Sequence, residues 1–568
     1  MIEEFPKHWL QDIVNEIKEK KPEKVTLATG KTPSGHIHIG ILREILICDA
    51  LRRIFEKETK DVRFILFLDS FDAAKRFPDY LNEEFKSKYL GKPFYSIPCP
   101  FEDCNCESYA YHFGSELAST FEDFGIKNEI IWSHELYKRK SMQKMIKKAL
   151  ENTEKIKGIL KKYILPTLDE DMKQEFLEMQ ESWMPAMTIC EKCKRILHKE
   201  SDGSIIPNRV IGYDPKLEEV YYECPSCGNK GRISIYSGLV KLNWRVDWPA
   251  KWALFNTTCE PAGKDHCVKG GAYDSGLEIC QEVYNYEGPI KVPYEWLRLG
   301  DKDMKTSKGI VFTPKKYLKM ADPEIFRMLI LRTNPMKHIS FRIEELPQYY
   351  DYFERMEDIY YGDEVENDEE KETFEYLYPL IKVGDITKKK PQNISFNLLV
   401  FLSQLQNILS FEKLYEKVKQ VETQKGFEEH ISKGDFKLLL NRTENWVEEI
   451  KKILEKETNQ KVKKSISRKI SLFKIPEVMD TEVVKNLSEQ QVKGIIILRN
   501  FLEHKDNLNE DLIQNEIFNI AKEKLDMAPK KLFQAIYLML LGKKYGPRLG
   551  SFLVLLDREW LLNRLKID

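Results

Sequence analysis

The order of apolar and polar positions divides the chain into an α/β part followed by a helical part. Val25–Thr29 is β-prone and gives way at Gly30 to a loop, after which Ile41, Leu42, Ile45, Leu46 and Cys48 recur at helical spacing. Arg63-Phe-Ile-Leu-Phe-Leu-Asp69 is an apolar run that stops at a carboxylate, the profile of a parallel strand buried on both faces. Strand, glycine-bearing loop, helix and strand predict the opening of an α/β, doubly wound parallel sheet of the Rossmann type. From about 99 to 231 the pattern is interrupted by cysteine pairs, turns and charged helices, with a Lys-rich helical stretch at 138–163 expected on the surface. It resumes near Ile235. From about 345 onward glycine is sparse and amphipathic periods dominate, which predicts an all-α region with its own core. An acidic stretch, 362–370, lies just inside its start.

Composition narrows the class. With 568 residues, 42% hydrophobic and 32% charged, the chain is long enough for several domains with sizeable cores. A disulfide-stapled scaffold and a fibrous repeat are excluded. Apolar runs such as Phe533 to Gly542 fall far short of the ~20 residues that span a bilayer. The opening MIEEFPKHWL lacks the basic-then-apolar profile of an export signal, so a cytoplasmic protein without membrane contact is expected. Lys plus Arg number 90 against 91 for Asp plus Glu, so a polyanionic partner must be held by local patches rather than by net charge.

Eleven cysteines in such a chain point to thiols or metal ligands. Cys190-x-x-Cys193 and Cys224-x-x-Cys227, with 30 residues between the pairs, are spaced as a four-thiolate Zn²⁺ site. Cys99, Cys104, Cys106 and His112 fall within 14 residues and predict a second, Cys₃His, site. Four protein ligands close each site, which implies a structural metal. Cys48, Cys259, Cys267 and Cys280 stand apart and read as small core residues.

The loop after the first strand is Thr29-Gly-Lys-Thr-Pro-Ser-Gly-His-Ile-His-Ile-Gly40. It fits neither the phosphate-loop pattern nor Gly-x-Gly-x-x-Gly. It resembles the nucleotide signature of class I aminoacyl-tRNA synthetases. That resemblance implies that Pro33, Ser34, Gly35, His38 and Gly40 meet ATP. His38 would be the first signature histidine, stabilising charge at the α-phosphorus, while His36 fills a variable position and Ile41 stands where the last histidine often does. A later lysine loop is expected at Leu299–Gly309, with Lys305 and Lys308 flanking Ser307; Asp303 and Thr306 replace two lysines of the family pattern. By itself that segment reads equally well as a solvated turn.

Trp244-Arg-Val-Asp-Trp-Pro-Ala-Lys-Trp252, Cys259-Glu-Pro-Ala-Gly-Lys-Asp-His266, Gly270-Gly-Ala-Tyr-Asp-Ser-Gly276 and Tyr545–Phe552 together resemble the class I lysyl-tRNA synthetases. The resemblance covers essentially the whole chain. It implies lysine specificity, with Gly30, Thr32, Trp244 and His266 lining the pocket. A carboxylate must meet the lysine ammonium, since an unpaired buried charge costs several kcal/mol. Asp69, Asp72, Asp247 and Asp265 are the candidates. The implied reaction activates lysine with ATP and Mg²⁺, then transfers it to the 2′-hydroxyl of the terminal ribose of tRNA-Lys. The corresponding domains are 1–98 (first half of a Rossmann-type catalytic domain), 99–231 (zinc-binding insertion toward the acceptor end), 232–298 (second half), 299–345 (lysine loop and stem contact) and 346–568 (helical anticodon reader), in a chain expected to be monomeric. Three rivals remain: a nucleotidylyltransferase, a noncatalytic RNA-binding paralogue and a glutamyl-specific relative.

Overall fold

The computed structural model describes residues 8–58, 61–300, 302–304, 311–362, 367–424, 430–478 and 481–567. They form two compact units. The first contains residues 1–318, 322–342 and 356–388; the second contains 319–321, 343–355 and 389–568.

The first unit is built on a five-stranded parallel sheet. In chain order its strands are β1 (Val25–Lys31), β2 (Val62–Leu68), β3 (Glu129–Trp132), β4 (Cys259–Gly263) and β5 (Ile290–Tyr294). Across the sheet they run β5-β4-β1-β2-β3. The chain therefore winds outward from β1 in one direction and returns on its other side, so strand order reverses between β1 and β4. Ligands of doubly wound sheets bind at the carboxyl ends of strands flanking such a reversal.

Local sequence explains these elements. β1 and β2 pair over seven residues, Val25↔Val62 to Lys31↔Leu68, and Val25 to Thr29 and Phe64 to Leu68 are buried. Helix α1 (Leu42–Lys57) covers the sheet with almost its entire first three turns buried. Two of its buried charges, Arg43 and Asp49, are satisfied within that setting. The Arg43 guanidinium donates to the carbonyls of Glu295 (2.7 Å), Pro335 (2.8 Å) and Lys337 (2.7 Å). Asp49 accepts from Arg52, Arg53 and Arg327 at 2.7–2.8 Å.

Two stretches differ from expectation. The interruption starting near 99 contains a sheet strand: β3 pairs with β2 from Ile65↔Glu129 to Leu68↔Trp132. Four residues are too few to announce a strand by periodicity. The first unit also extends past 345. Arg327, fully buried, donates to the carbonyls of Leu380 and Ile381, capping the helix Asp368–Ile381. The Lys-rich stretch forms helices Lys140–Glu151 and Thr153–Ile164, whose lysines line the outside while Met142, Ile146, Ile156, Ile159 and Leu160 are buried.

The second unit is helical, from Phe396–Ser403 to Arg558–Arg564, around a core that includes Leu402, Leu440, Leu498, Ile517, Ile536 and Phe552. The fully buried Trp446 satisfies its indole by donating to Ile343 O at 2.7 Å. No helix among the described residues is long and apolar enough to cross a membrane.

Candidate active site

The loop leaving β1 is held by alternation. Ile37, Ile39 and Ile41 are buried, which turns His36 and His38 the other way. Backbone bonds fix it at Ser34 N to Thr32 O (2.9 Å) and Ile39 N to Phe312 O (2.7 Å). Gly40 is required sterically: a Cβ there would lie 2.8 Å from His38 Nδ1 and 2.9 Å from Cε1. Burial, reinforced by the charge of Lys31, pushes the His38 imidazole down to about 4, so it is neutral near pH 7. Among the described residues its buried Nδ1 has no hydrogen-bond partner, which fits an edge kept for a ligand. His36 pairs with Glu116 at 2.6 Å.

At the carboxyl edge of β1 and β2 lies a buried ionic network. Lys251 contacts Asp69 Oδ1 at 2.6 Å and Asp247 Oδ2 at 2.8 Å. Lys241 meets Asp72 Oδ1 at 3.1 Å, and the Asp72 Oδ2 accepts from the Thr32 hydroxyl at 2.7 Å. Tyr137 OH donates to Asp247 Oδ1 at 2.6 Å. Three carboxylates face two ammoniums. The imbalance falls on Asp69: burial raises its carboxyl above the usual range despite Lys251, whereas Lys241 and Thr32 overcome burial at Asp72 and hold it below. A Cβ built on Gly30 would lie 3.6 Å from the Asp69 oxygen that Lys251 does not use. Asp69 therefore borders the Gly30 surface.

Across the strand reversal, helix α3 (Trp244–Phe255) and the segment after β4 supply aromatic groups. Trp244 is 46% exposed, and its ring packs edge-on to His266 at 5.8 Å between centroids. Trp248 approaches His266 at 5.7 Å. The indoles of Trp248 and Trp252 both donate to Glu260, at 2.8 and 2.7 Å, which does not prevent burial from raising that carboxyl to about 7. Gly30, Thr32, Trp244 and His266 thus stand on the two elements flanking the reversal. Asp265 is exposed, and Cys267, expected in the core, is half-buried with its thiol donating to Ala262 O at 3.6 Å. Lys305, Thr306, Ser307 and Lys308 lie outside the described residues; the backbone of Lys302 and Asp303 pairs with that of Leu299 and Arg298.

Sequence reasoning missed Glu44. This carboxylate, 6% exposed in the first turn of α1, accepts from the Thr29 hydroxyl at the end of β1 and the Tyr294 hydroxyl at the end of β5. Burial raises its pKa, with both hydroxyls and the charge of Lys31 opposing. Among the described residues no cation comes within ion-pair distance of it. The signal was an acid at a position where the helical period demands an apolar residue.

Among the described residues two groups can hold a metal ion: Cys190, Cys193, Cys224 and Cys227, and Cys99, Cys104 and His112, with the ligand atoms of each group within 4.8 Å of one another. Cys190–Cys227 and Cys193–Cys224 are each 3.6 Å apart, with all four thiols free. Lys194 and Gly228 take positive φ, turning the chain after each pair. His112 Nδ1 is 3.2 Å from Cys104 Sγ and 3.6 Å from Cys99 Sγ. Cys106, expected as the fourth ligand, is not in that group; its backbone N–H donates to Cys104 Sγ at 3.4 Å. Only Asn105 separates Cys106 from Cys104, and the two thiols lie close enough to interact.

Comparison of the sequence with known proteins identifies the family. The family model described as tRNA synthetases class I (K) matches residues 7–383, and the one described as anticodon binding domain matches 440–567. A lysine–tRNA ligase from Methanocaldococcus jannaschii is 35% identical over 99% of both chains. Those of Methanosphaera stadtmanae and Methanococcus maripaludis are each 32% identical, again over 99% of both chains. The chain belongs to the class I tRNA synthetases, in their K branch.

Proposed function

We propose that this chain is a lysine–tRNA ligase in which Glu44 receives the ε-ammonium of lysine and Asp69 its α-ammonium. The observation that carries the assignment is the pairing of the carboxylates. Asp72 and Asp247 have buried lysine partners, whereas among the described residues Glu44 has only hydroxyl donors, and Asp69, bound to Lys251 through one oxygen, keeps the other toward Gly30. A cation delivered to each would relieve desolvation that costs several kcal/mol when left unmatched. The four aspartates favoured by sequence then divide: Asp69 serves the α end, Asp72 positions Thr32, Asp247 anchors Lys251, and Asp265 is solvated. The indole of Trp244 and the ring of His266 cover the substrate between its charged ends.

In the first step the lysine carboxylate attacks the α-phosphorus of ATP and pyrophosphate leaves; Mg²⁺ accompanying ATP supplies charge neutralisation on its phosphates. The loop Pro33, Ser34, Gly35 and Gly40 allows close approach of the nucleotide. Neutral His38 donates a hydrogen bond to oxygen charge developing at phosphorus, and Lys305, Ser307 and Lys308 attend the departing pyrophosphate. In the second step the lysyl group moves to the terminal ribose of tRNA. The family match at 440–567 supports an anticodon reader in the C-terminal helical region, and the thiol-bearing 99–231 stretch is assigned to the acceptor side. A tetrahedral zinc with bonds near 2.3 Å needs sulfurs about 3.8 Å apart; the 3.6 Å separations fit it. The cytoplasm is the expected compartment, and a monomer the expected state.

The deciding experiment is ATP–pyrophosphate exchange with each of the twenty amino acids, with and without tRNA. Lysine-dependent exchange is expected. Exchange with glutamate would overturn the carboxylate assignment, and silence in every condition would favour an RNA-binding paralogue.

A further inference from the structure

The helix α2 (Tyr109–Ala118) presents three successive turns to the nucleotide loop and to the Cys99/Cys104 thiols. Tyr109 OH donates to Ser34 O at 2.9 Å. One turn on, His112 lies 3.2 Å from Cys104 Sγ and 3.6 Å from Cys99 Sγ. The neighbouring Phe113 packs edge-on against His36 at 5.1 Å, and a further turn on Glu116 binds His36 Nδ1 at 2.6 Å. Residues 109, 112, 113 and 116 share one helical face, since i, i+3, i+4 and i+7 lie in a stripe. The thiol segment closes the arrangement: Phe101, between Cys99 and Cys104, meets His112 at 4.7 Å and His36 at 6.4 Å.

Tyr109 is fully buried in one cluster with Phe94, Ile97 and Phe113, whereas Cys99, Cys104 and His112 are half-buried. A hydrogen bond to a loop carbonyl transmits position only as well as its donor is fixed. Position of the loop is therefore coupled to α2, whose first turn is packed through Tyr109 and meets the Cys99 and Cys104 thiols at His112.

We propose that Tyr109 and Glu116 are positioning residues for the nucleotide loop, and that a divalent cation held by Cys99, Cys104 and His112 locks the helix that carries them. The cluster is then part of the ATP site's support, separate in effect from the four-thiolate group. This rests on the reading of the 29–40 loop as the ATP loop.

The test uses the full-length chain, with metal content measured by elemental analysis and binding of a nonhydrolysable ATP analogue and of lysine measured by calorimetry. His112→Ala and Cys104→Ser are expected to lose one metal equivalent and at least tenfold in nucleotide affinity, with lysine affinity within twofold of the parent. Tyr109→Phe and Glu116→Ala are expected to keep the metal yet raise KM for ATP severalfold, and Glu116→Gln to restore it. Loss of the metal without loss of nucleotide affinity overturns the coupling, as does a parent chain that holds a single metal equivalent. Equal loss of lysine binding marks a merely structural role and also overturns it. A parent that binds no nucleotide at all sinks the ATP-loop reading together with the coupling, whereas a parent that binds it and variants that do so equally well sink the coupling alone.

Discussion

Lys251 bridges Asp69 and Asp247, at 2.6 and 2.8 Å, while only 4% exposed. Removing one partner of a buried ion pair leaves an uncompensated charge, at a cost of about 3–5 kcal/mol. Lys251→Met is expected to destabilise the first unit by that amount, read as a fall in the denaturant midpoint at unchanged slope. A change below about 1 kcal/mol would show that water reaches the pair.

Glu44→Gln keeps the shape of the side chain but removes its charge. Hydrogen bonds to charged groups are worth about 1.5–3 kcal/mol, so KM for lysine should rise roughly ten- to hundredfold. Stability should not fall, because the lost carboxylate was itself costly to bury. Unchanged KM would return the ε-ammonium to the aspartates.

His38→Ala should slow adenylate formation more than tenfold with little change in lysine affinity. Gly40→Ala should act in the same direction, since its methyl meets the imidazole at 2.8 Å. Single-turnover rates distinguish this from a binding defect: an unaltered rate in either variant contradicts the role given to His38.

Burial depresses His8, His38 and His134 to about 4 each. The unfolded chain then binds more protons between pH 6.5 and 4, so stability present above 6.5 is lost as pH falls through that window, by on the order of 2–3 kcal/mol at its lower end for His8 and His38 and by less for the more solvent-screened His134. Thermal midpoints measured from pH 7.5 to 4 should follow this slope, and His134→Asn should flatten it. His38 should contribute no step near pH 6.5 to the adenylation rate profile.

Cys190→Ser is expected to lower zinc content by one equivalent. Full retention of the metal in elemental analysis would remove the four-thiolate site.

What the sequence disclosed and what it withheld follow from distance along the chain. The nucleotide loop was legible because its chemistry is contiguous: strand, glycines and histidines lie within twelve residues, 29–40. The four-thiolate group was legible because thiol spacing leaves few alternatives. The pairing of Lys251 with Asp69 was not, since 182 residues separate them and nothing local marks a lysine as buried. Glu44 escaped for the same reason, its hydroxyl partners being 15 and 250 residues away. β3 escaped because four residues carry no period.

The strand order has a bearing on biosynthesis. β1 and β2 leave the ribosome early and can pair at once, but the other neighbour of β1 is β4, encoded some two hundred residues later. Until then the β1 side of the nascent sheet is an open edge of unpaired N–H and C=O groups around Val25 and Leu27, in a form that invites association with other chains. A message truncated before codon 259 would yield a fragment with that edge permanently bare, so quality control of incomplete products has a specific surface to recognise.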